Sequence, residues 1–226
     1  MTSKLATVTL PDPKQAYDLW AGSYPAVAHN PLMRLEQDII ESILAPLAPR
    51  RALDVGTGSG RYLSVLAQRA TRIVVGVDFS RAMLQAGGRK NMVCANALWL
   101  PFARRSFDLI NASLMVGDVP DVAAWTGEMA KTLTRGGHLI YSDFHPSWAS
   151  HGWKRTFRGV DGVTYDIGYA PHTIDDHLSA IDAAGLRVLA IREPRFKDDT
   201  DPDVRAFRRR WKNPPVVVVF HAVKDA

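Results

Sequence analysis

The stretch Ala52-Leu53-Asp54-Val55-Gly56-Thr57-Gly58-Ser59-Gly60 decides how this chain is read: a short apolar strand runs into a turn with glycine at alternate positions, and a helix-like segment opens at Arg61. A ligand can lie against such a turn and the following helix N-terminus, because no β-carbon stands between it and the backbone amides. The spacing is Gly-x-Gly-x-Gly. A dinucleotide-binding turn would need Gly-x-Gly-x-x-Gly, and Arg61 stands where its third glycine belongs. Asp78 ends the next apolar run, about twenty residues further on, where a carboxylate can accept hydrogen bonds from both hydroxyls of an adenosine ribose.

Working outward, short apolar runs alternate with helix-like stretches: ALDV, RYLSVLAQRA, RIVVGV, SRAMLQAGG and NMVC, then FDLINASL, VAAWTGEMAKTL and HLIYSDF, the last entered through the Gly136-Gly137 turn. This alternation builds parallel βαβ units. The stretch from His145 to His172 breaks the rhythm. In it KRTFRGV and VTYDIGY flank Asp161-Gly162, a dipeptide suited to a tight hairpin turn. A helix follows over TIDDHLSAIDAAG, with Thr173 as N-cap and Gly185 as its stop, and LRVLAIREP and PPVVVVFHAV supply two last strands. The final run lacks alternation and is expected to be buried on both faces. A further helix is expected around Asn30–Leu47, after an aromatic segment from Tyr17 to Tyr24. The expected fold class is α/β: three layers around an open, doubly wound, seven-stranded sheet, mostly parallel with an antiparallel last strand, plus an inserted β-hairpin.

At 226 residues and 46% hydrophobic composition the chain can bury one large core, and no linker-like segment divides it. No run of about eighteen apolar residues and no basic-then-apolar leader is present, so the expectation is a cytoplasmic protein without a membrane partner. The single cysteine, Cys94, is expected to be a buried strand thiol. The net charge of +5 lies partly in clusters such as Lys154-Arg155 and Arg208-Arg209-Arg210-Trp211-Lys212, which suit solvated faces or attraction of an anionic small molecule. No zinc-spaced Cys/His set occurs, and no metal is expected.

YDLWAGSY (17–24), ALDVGTGSG (52–60), VVGVDFS (74–80), ANALWLPF (95–102), SFDLI (106–110) and LTRGGHLIYSDF (133–144) stand in one order along the chain. In these marks the sequence resembles class I S-adenosylmethionine-dependent methyltransferases, particularly the broad group that includes the ubiquinone and menaquinone biosynthesis enzymes. The resemblance runs from about Tyr17 to Val223. It implies S-adenosylmethionine as cofactor, cradled by Asp54, Gly56, Gly58 and Gly60. It further implies Asp78 on the ribose, Phe79 against the adenine, backbone near Asn111 to Ser113 on the ammonium group, and Tyr17 closing over the cofactor. An Asp-Ala pair usually meets the adenine edge in the family; here it is Asn96-Ala97, whose amide oxygen can accept the same bond. After the fourth strand the family often has a histidine or a hydrophobic pair, and this chain has Val116-Gly117-Asp118-Val119. The implied organisation is a single methyltransferase domain over 1–226: an N-terminal helical lid (1–50), a cofactor-binding core (51–143), a substrate-side hairpin insertion (144–172) and a C-terminal helix and strands (173–226).

Methyl transfer from a sulfonium is an in-line displacement, so the protein must align the nucleophile and exclude water. A base is needed only when the nucleophile arrives protonated. His145 directly follows the fifth strand and His172 opens the helix after the hairpin; both are candidate catalytic bases. Trp20, Tyr24, Trp148, Trp153 and Tyr169 are candidate substrate-binding residues, able to wall an aromatic pocket or equally to pack the hairpin on the sheet. Lys154, Arg155 and Arg158 can meet an acidic substrate group or simply line a solvated strand edge.

The expected reaction is methylation of an oxygen or carbon of a small, aromatic or polyketide-like metabolite, with His145 as proton acceptor, in a monomer or homodimer. An RNA or protein methyltransferase is the alternative that the charge favours, but no nucleic-acid module and no Asn-Pro-Pro-Tyr or Asp-Pro-Pro-Tyr motif accompanies it, and no nucleic-acid partner is expected. A non-catalytic, cofactor-binding regulatory protein would carry the same glycines and Asp78.

Overall fold

The computed structural model describes residues 7–197 and 200–225, so the first six residues of the expected lid lie outside the described residues. In chain order the strands are β1 (Thr7–Leu10), β2 (Arg51–Val55), β3 (Ile73–Asp78), β4 (Met92–Cys94), β5 (Phe107–Ser113), β6 (Leu133–Phe144), β7 (Arg155–Arg158), β8 (Thr164–Ile167), β9 (Leu186–Arg192) and β10 (Val217–Lys224). The helices are α1 (Pro13–Trp20), α2 (Pro31–Leu44), α3 (Leu63–Ala67), α4 (Arg81–Gly87), α5 (Val122–Thr132), α6 (Ser147–Ser150), α7 (Ile174–Ala183) and α8 (Pro202–Trp211).

Seven strands form one sheet in the order β4-β3-β2-β5-β6-β10-β9. Its strands are parallel except β10, which runs antiparallel to both β6 and β9. The buried run Val216–Phe220, fully shielded from solvent, explains why that segment shows no alternation: it lies between two strands, with a helical layer on each face. Alternate residues divide between two cores. Leu53, Ile110, Tyr141 and Phe220 face Trp125 and Met129 of α5 and Ile181 of α7. Ala52, Leu109, Ile140 and Val219 face Ile40 and Leu44 of α2 and Leu66 of α3. The three layers follow from this period-two division of apolar side chains.

Side-chain caps set the helix starts as the sequence indicates. Asn30 accepts from the Met33 amide at 2.9 Å with Pro31 in the first turn, and Thr173 forms a capping box with Asp176. The helix expected over Asn30–Leu47 is therefore α2, ending at Leu44. The expected hairpin is β7-β8. It gains a third strand that the sequence reading does not contain: β1 pairs in parallel with β8, joining the N-terminal segment to the insertion. Helix α8 was also not expected. Its charged last turn hides an apolar stripe, Val204, Phe207 and Trp211, and Asp201-Pro202 is an N-cap and first-turn proline that signals its start.

Cys94 is exposed, contrary to expectation, because β4 is an edge strand with a neighbour on one side only. Among the described residues no helix is long and apolar enough to cross a membrane.

Helix α4 packs against the glycine turn so closely that a Cβ on Gly87 would stand 2.4 Å from the Ser59 carbonyl oxygen. Backbone cannot yield as a side-chain tip can, so Gly87→Ala should destabilise the fold by about 1–3 kcal/mol, read as a lowered midpoint in denaturant unfolding.

Candidate active site

The carboxyl ends of β2, β3, β5 and β6 open into one cavity of about 610 Å³, within the range of roughly 300–1,000 Å³ of small-molecule sites. It lies where strand order reverses across β2 and β5, the crevice in which open α/β sheets hold ligands. Its floor at one end is the glycine turn. Gly56 and Gly58 line it with φ of +66° and +56°, and a Cβ on Gly56 would stand 2.7 Å from the Met115 side chain. Gly60 stands outside the lining, facing Arg89 and Leu63.

Two buried carboxylates shape this floor. Asp54 accepts from Thr57 Oγ1 at 2.6 Å and Asn111 Nδ2 at 2.7 Å, joining the turn to β5. Asp78 accepts from the Gly58 amide at 2.8 Å and the Ser80 amide at 2.8 Å. Burial pushes both up to about 6, against the lowering effect of those donors. Phe79, Met83, Asn96, Ala97 and Ser113 complete this end. The Asn96 side-chain oxygen accepts from the Leu98 amide at 2.8 Å, which fixes the turn after β4.

The donor and acceptor pattern suits an adenosine-bearing cofactor. A carboxylate faces the space beside β3, backbone without β-carbons forms the floor, and Ser59 Oγ, in the cavity wall, is buried without a protein partner.

The other end is apolar and comes from three regions far apart in sequence: Leu32 and Met33, Phe144 and Trp153, and Phe196 with Phe207 of α8. His29 and Asp203 add polar groups to it. Sequence reading missed the contribution of α8 together with the helix itself. Between the two ends, α1 and the following turn supply Tyr17, Trp20 and Tyr24 to the lining. Helix α2, assigned to the lid, instead packs on the sheet; Ile40 and Leu44 are fully buried there, and only its first residues reach the cavity. Its Glu36 is also fully buried and bonds Arg61 at 3.0 Å, Tyr62 Oη at 2.9 Å and Ser142 Oγ at 2.7 Å, fastening α2 to the glycine-turn helix and β6.

Several candidate residues stand elsewhere. The His145 ring is outside the cavity lining, with Nδ1 2.8 Å from Ser147 Oγ and Nε2 2.8 Å from Glu193 Oε1, so it buttresses the turn after β6. His172 bonds the Val119 carbonyl at 2.7 Å on a separate surface hollow beside α5 and α7. Neither histidine lines the cavity in which a base would act; His29 does. Trp148 is 1% exposed, packed on Trp153, Phe207 and Trp211, with Nε1 donating to the Val216 carbonyl at 3.1 Å. Tyr169 packs on Trp153 from outside the lining. Trp148 and Tyr169 thus support the wall residue Trp153 rather than forming the substrate wall expected of them.

A polar cluster unforeseen as such borders the cavity near the end of β5. Arg155 of β7 bonds both oxygens of Asp118, Nη2 meeting Oδ1 in a very short contact and Nη1 lying 3.2 Å from Oδ2. Burial alone would lower the Arg155 value, but the Tyr17 and Asp118 oxygens more than offset it, so the group is raised and stays charged. Asp143, at the end of β6 behind this pair, is pushed up to about 7 by burial.

Two consequences can be measured. Trp148→Ala should destabilise the protein by about 3–5 kcal/mol in denaturant unfolding, as loss of a core ring does. For Asp143, the folded state keeps a proton that the unfolded chain releases, so its contribution is present below about pH 4 and is lost as the pH rises through about 7. Asp143→Asn should therefore gain stability relative to the parent as the pH is raised from 4 to 8, by on the order of 2–4 kcal/mol, in paired unfolding curves.

Comparison with known proteins accords with this geometry. A family model described as a methyltransferase domain matches residues 53–141, from β2 into β6. A demethylmenaquinone methyltransferase from Roseiflexus castenholzii is 40% identical over 103 residues, 42% of this chain and 43% of that protein. A ubiquinone biosynthesis O-methyltransferase from Ralstonia nicotianae is 31% identical over 175 residues, 71% of this chain and 69% of that protein. The chain spans about half the length of most of the curated relatives it matches. Among solved structures, an S-adenosylmethionine dependent methyltransferase from Mesorhizobium loti shares the fold, with a TM-score of 0.65 at 20% identity over 85% of this chain and 99% of that one. With the glycine turn, the strand-terminal Asp78 and the sheet order all in place, the chain belongs to the class I S-adenosylmethionine-dependent methyltransferases.

Proposed function

We propose that this protein transfers the methyl group of S-adenosylmethionine to an oxygen or carbon of a small, flat, largely apolar acceptor of aromatic or polyketide-like character. The observation that carries this reading is one continuous cavity with a glycine turn and Asp78 at one end and a chamber of Phe144, Trp153, Phe196 and Phe207 at the other.

Bound S-adenosylmethionine supplies a sulfonium-activated methyl for in-line displacement. Asp78 would hold the ribose hydroxyls, and Phe79 with Asn96 and Ala97 would border the adenine. Gly56, Gly58 and Asp54 would border the methionine part, beside Ser113, with Tyr17 above it. The aromatic chamber keeps water away and orients a planar acceptor, and alignment of this kind supplies much of the rate in a displacement that needs no covalent help from the protein. An acceptor that enters already ionised needs no base, and His29 at the cavity margin is the histidine able to meet one that does not.

The charge of the chain fits this reading without a nucleic-acid partner. Arg208, Arg209 and Arg210 occupy the last turn of α8, where cations complement the helix dipole, while Phe207 of the same helix lines the cavity.

Calorimetry with S-adenosylmethionine and S-adenosylhomocysteine, with NAD as control, tests the cofactor assignment. Saturable binding of the first two without NAD is expected, and Asp78→Ala should weaken it at least about tenfold, the loss of roughly 1.4 kcal/mol or more that a charged hydrogen-bond acceptor provides. Wild-type affinity in that variant would remove the ribose role, and absence of binding to the parent protein would overturn the proposed function. Phenols and enolisable ketones are the acceptors to assay by methyl transfer.

A further inference from the structure

Residues 17 and 18 are tied to opposite shoulders of the cavity. Tyr17 Oη donates to Asp118 Oδ2 at 3.0 Å, in the turn after β5, while Asp18 Oδ1 accepts from Ser80 Oγ at 2.6 Å, in the turn after β3. Helix α1 therefore crosses above the carboxyl end of β2, which lies between those strands. The hairpin reaches the same point from the other direction. Arg155 Nη1 and Nη2 meet the two Asp118 oxygens, Nη1 lies 3.4 Å from Tyr17 Oη, and Nη2 bonds the Gly168 carbonyl at 3.1 Å. Side chains of Arg155 and Asp118 are 6% and 7% exposed, so the pair is shielded from solvent and salt.

The two roof segments are also joined to each other. Trp20 stacks on Phe157 at 4.7 Å with an interplanar angle of 11°, and β1 pairs with β8. The roof is thus one body, and it meets the β5 shoulder through a bidentate ion pair, the geometry that arginine and carboxylate form best.

We infer that Arg155 is a positioning residue whose ion pair with Asp118 holds the α1 and hairpin roof shut over the cofactor end of the cavity, so that cofactor and product leave only when this clasp opens. The inference rests on the proposed cofactor site. A ligand lying between the glycine turn and Tyr17 has the roof above it, and the ends of the clasp belong to separate bodies: Asp118 to the sheet, Arg155 to the roof. Opening requires two buried charges to part, which makes the step slow compared with diffusion of a small molecule.

Stopped-flow or surface-based kinetics of S-adenosylhomocysteine binding test this on the whole protein. Arg155→Met and Asp118→Asn should each raise the dissociation rate at least about tenfold and the association rate with it, since a roof closed with and without ligand gates entry as well as exit. Tyr17→Phe, which removes one hydroxyl and keeps the ion pair, should raise dissociation only a few-fold. Arg155→Lys should recover part of the slow dissociation, because it keeps the charge without the fork. Should the single variants fail to fold, Arg155→Met combined with Asp118→Leu replaces both charges of the pair by apolar groups and strands neither partner of it; it should fold and show the same fast dissociation. Hydrogen exchange without ligand gives an independent readout, with protection in residues 13–23 and 155–167 falling in the variants and protection in β5 and β6 unchanged. Unaltered dissociation in folded variants would overturn the clasp, whereas failure of the parent protein to bind the ligand would overturn the cofactor reading beneath it.

Discussion

A buried carboxylate near the end of β2, an inner strand of the sheet, organises the rest of this structure. Asp54 has almost no contact with solvent, yet its oxygens face donors from two directions: Thr57 within the glycine turn and Asn111 on β5. A carboxyl group buried in this way is costly unless its hydrogen bonds are made, so the turn and the neighbouring strand are held in the one arrangement that makes them. That arrangement leaves the glycine backbone facing open space. Asn111 also touches Ser113 at 3.2 Å, carrying the same constraint to the strand end where the cavity begins. Asp78 repeats the device one strand over, bonding the turn amide of Gly58 and the cap amide of Ser80.

Around this fixed floor the chain builds walls of a different kind. The apolar end relies on surfaces from α2, the end of β6, the hairpin entry and α8, the last two backed by the buried Trp148. Non-directional packing of this sort allows the chamber's outline to vary while the floor stays the same. The roof is again directional, with the Arg155, Asp118 and Tyr17 cluster at one shoulder and Asp18 with Ser80 at the other. Rigid floor, apolar chamber and tethered roof together enclose the one cavity.

Residues that were readable in advance are those whose role is local. Thr173 caps its helix because a short polar side chain before a helix reaches its free amides. The glycine turn and Asp78 were readable because backbone geometry restricts which residues can stand there. Errors came where the partner is distant in sequence. Cys94 sits in an apolar run, but its exposure depends on which strand lies beside β4, and none does on the far side. His145 follows a strand at the correct end of the sheet, yet its ring turns toward Glu193, forty-eight positions later. Trp148 and Trp153 look alike in sequence. One is core and the other wall because α8 lies against the first.

The sequence alone determined the strand and helix alternation, the glycine turn with its carboxylate partner and the hairpin, since periodicity, capping and steric limits act within a few residues. Tertiary structure decided which side chains share the cavity, that α8 forms part of it, and that Tyr17, Asp118 and Arg155 meet. Those three residues are 101 and 37 positions apart along the chain. Their contact depends on the packing of a roof onto the carboxyl ends of inner strands, a long-range outcome that no local pattern encodes.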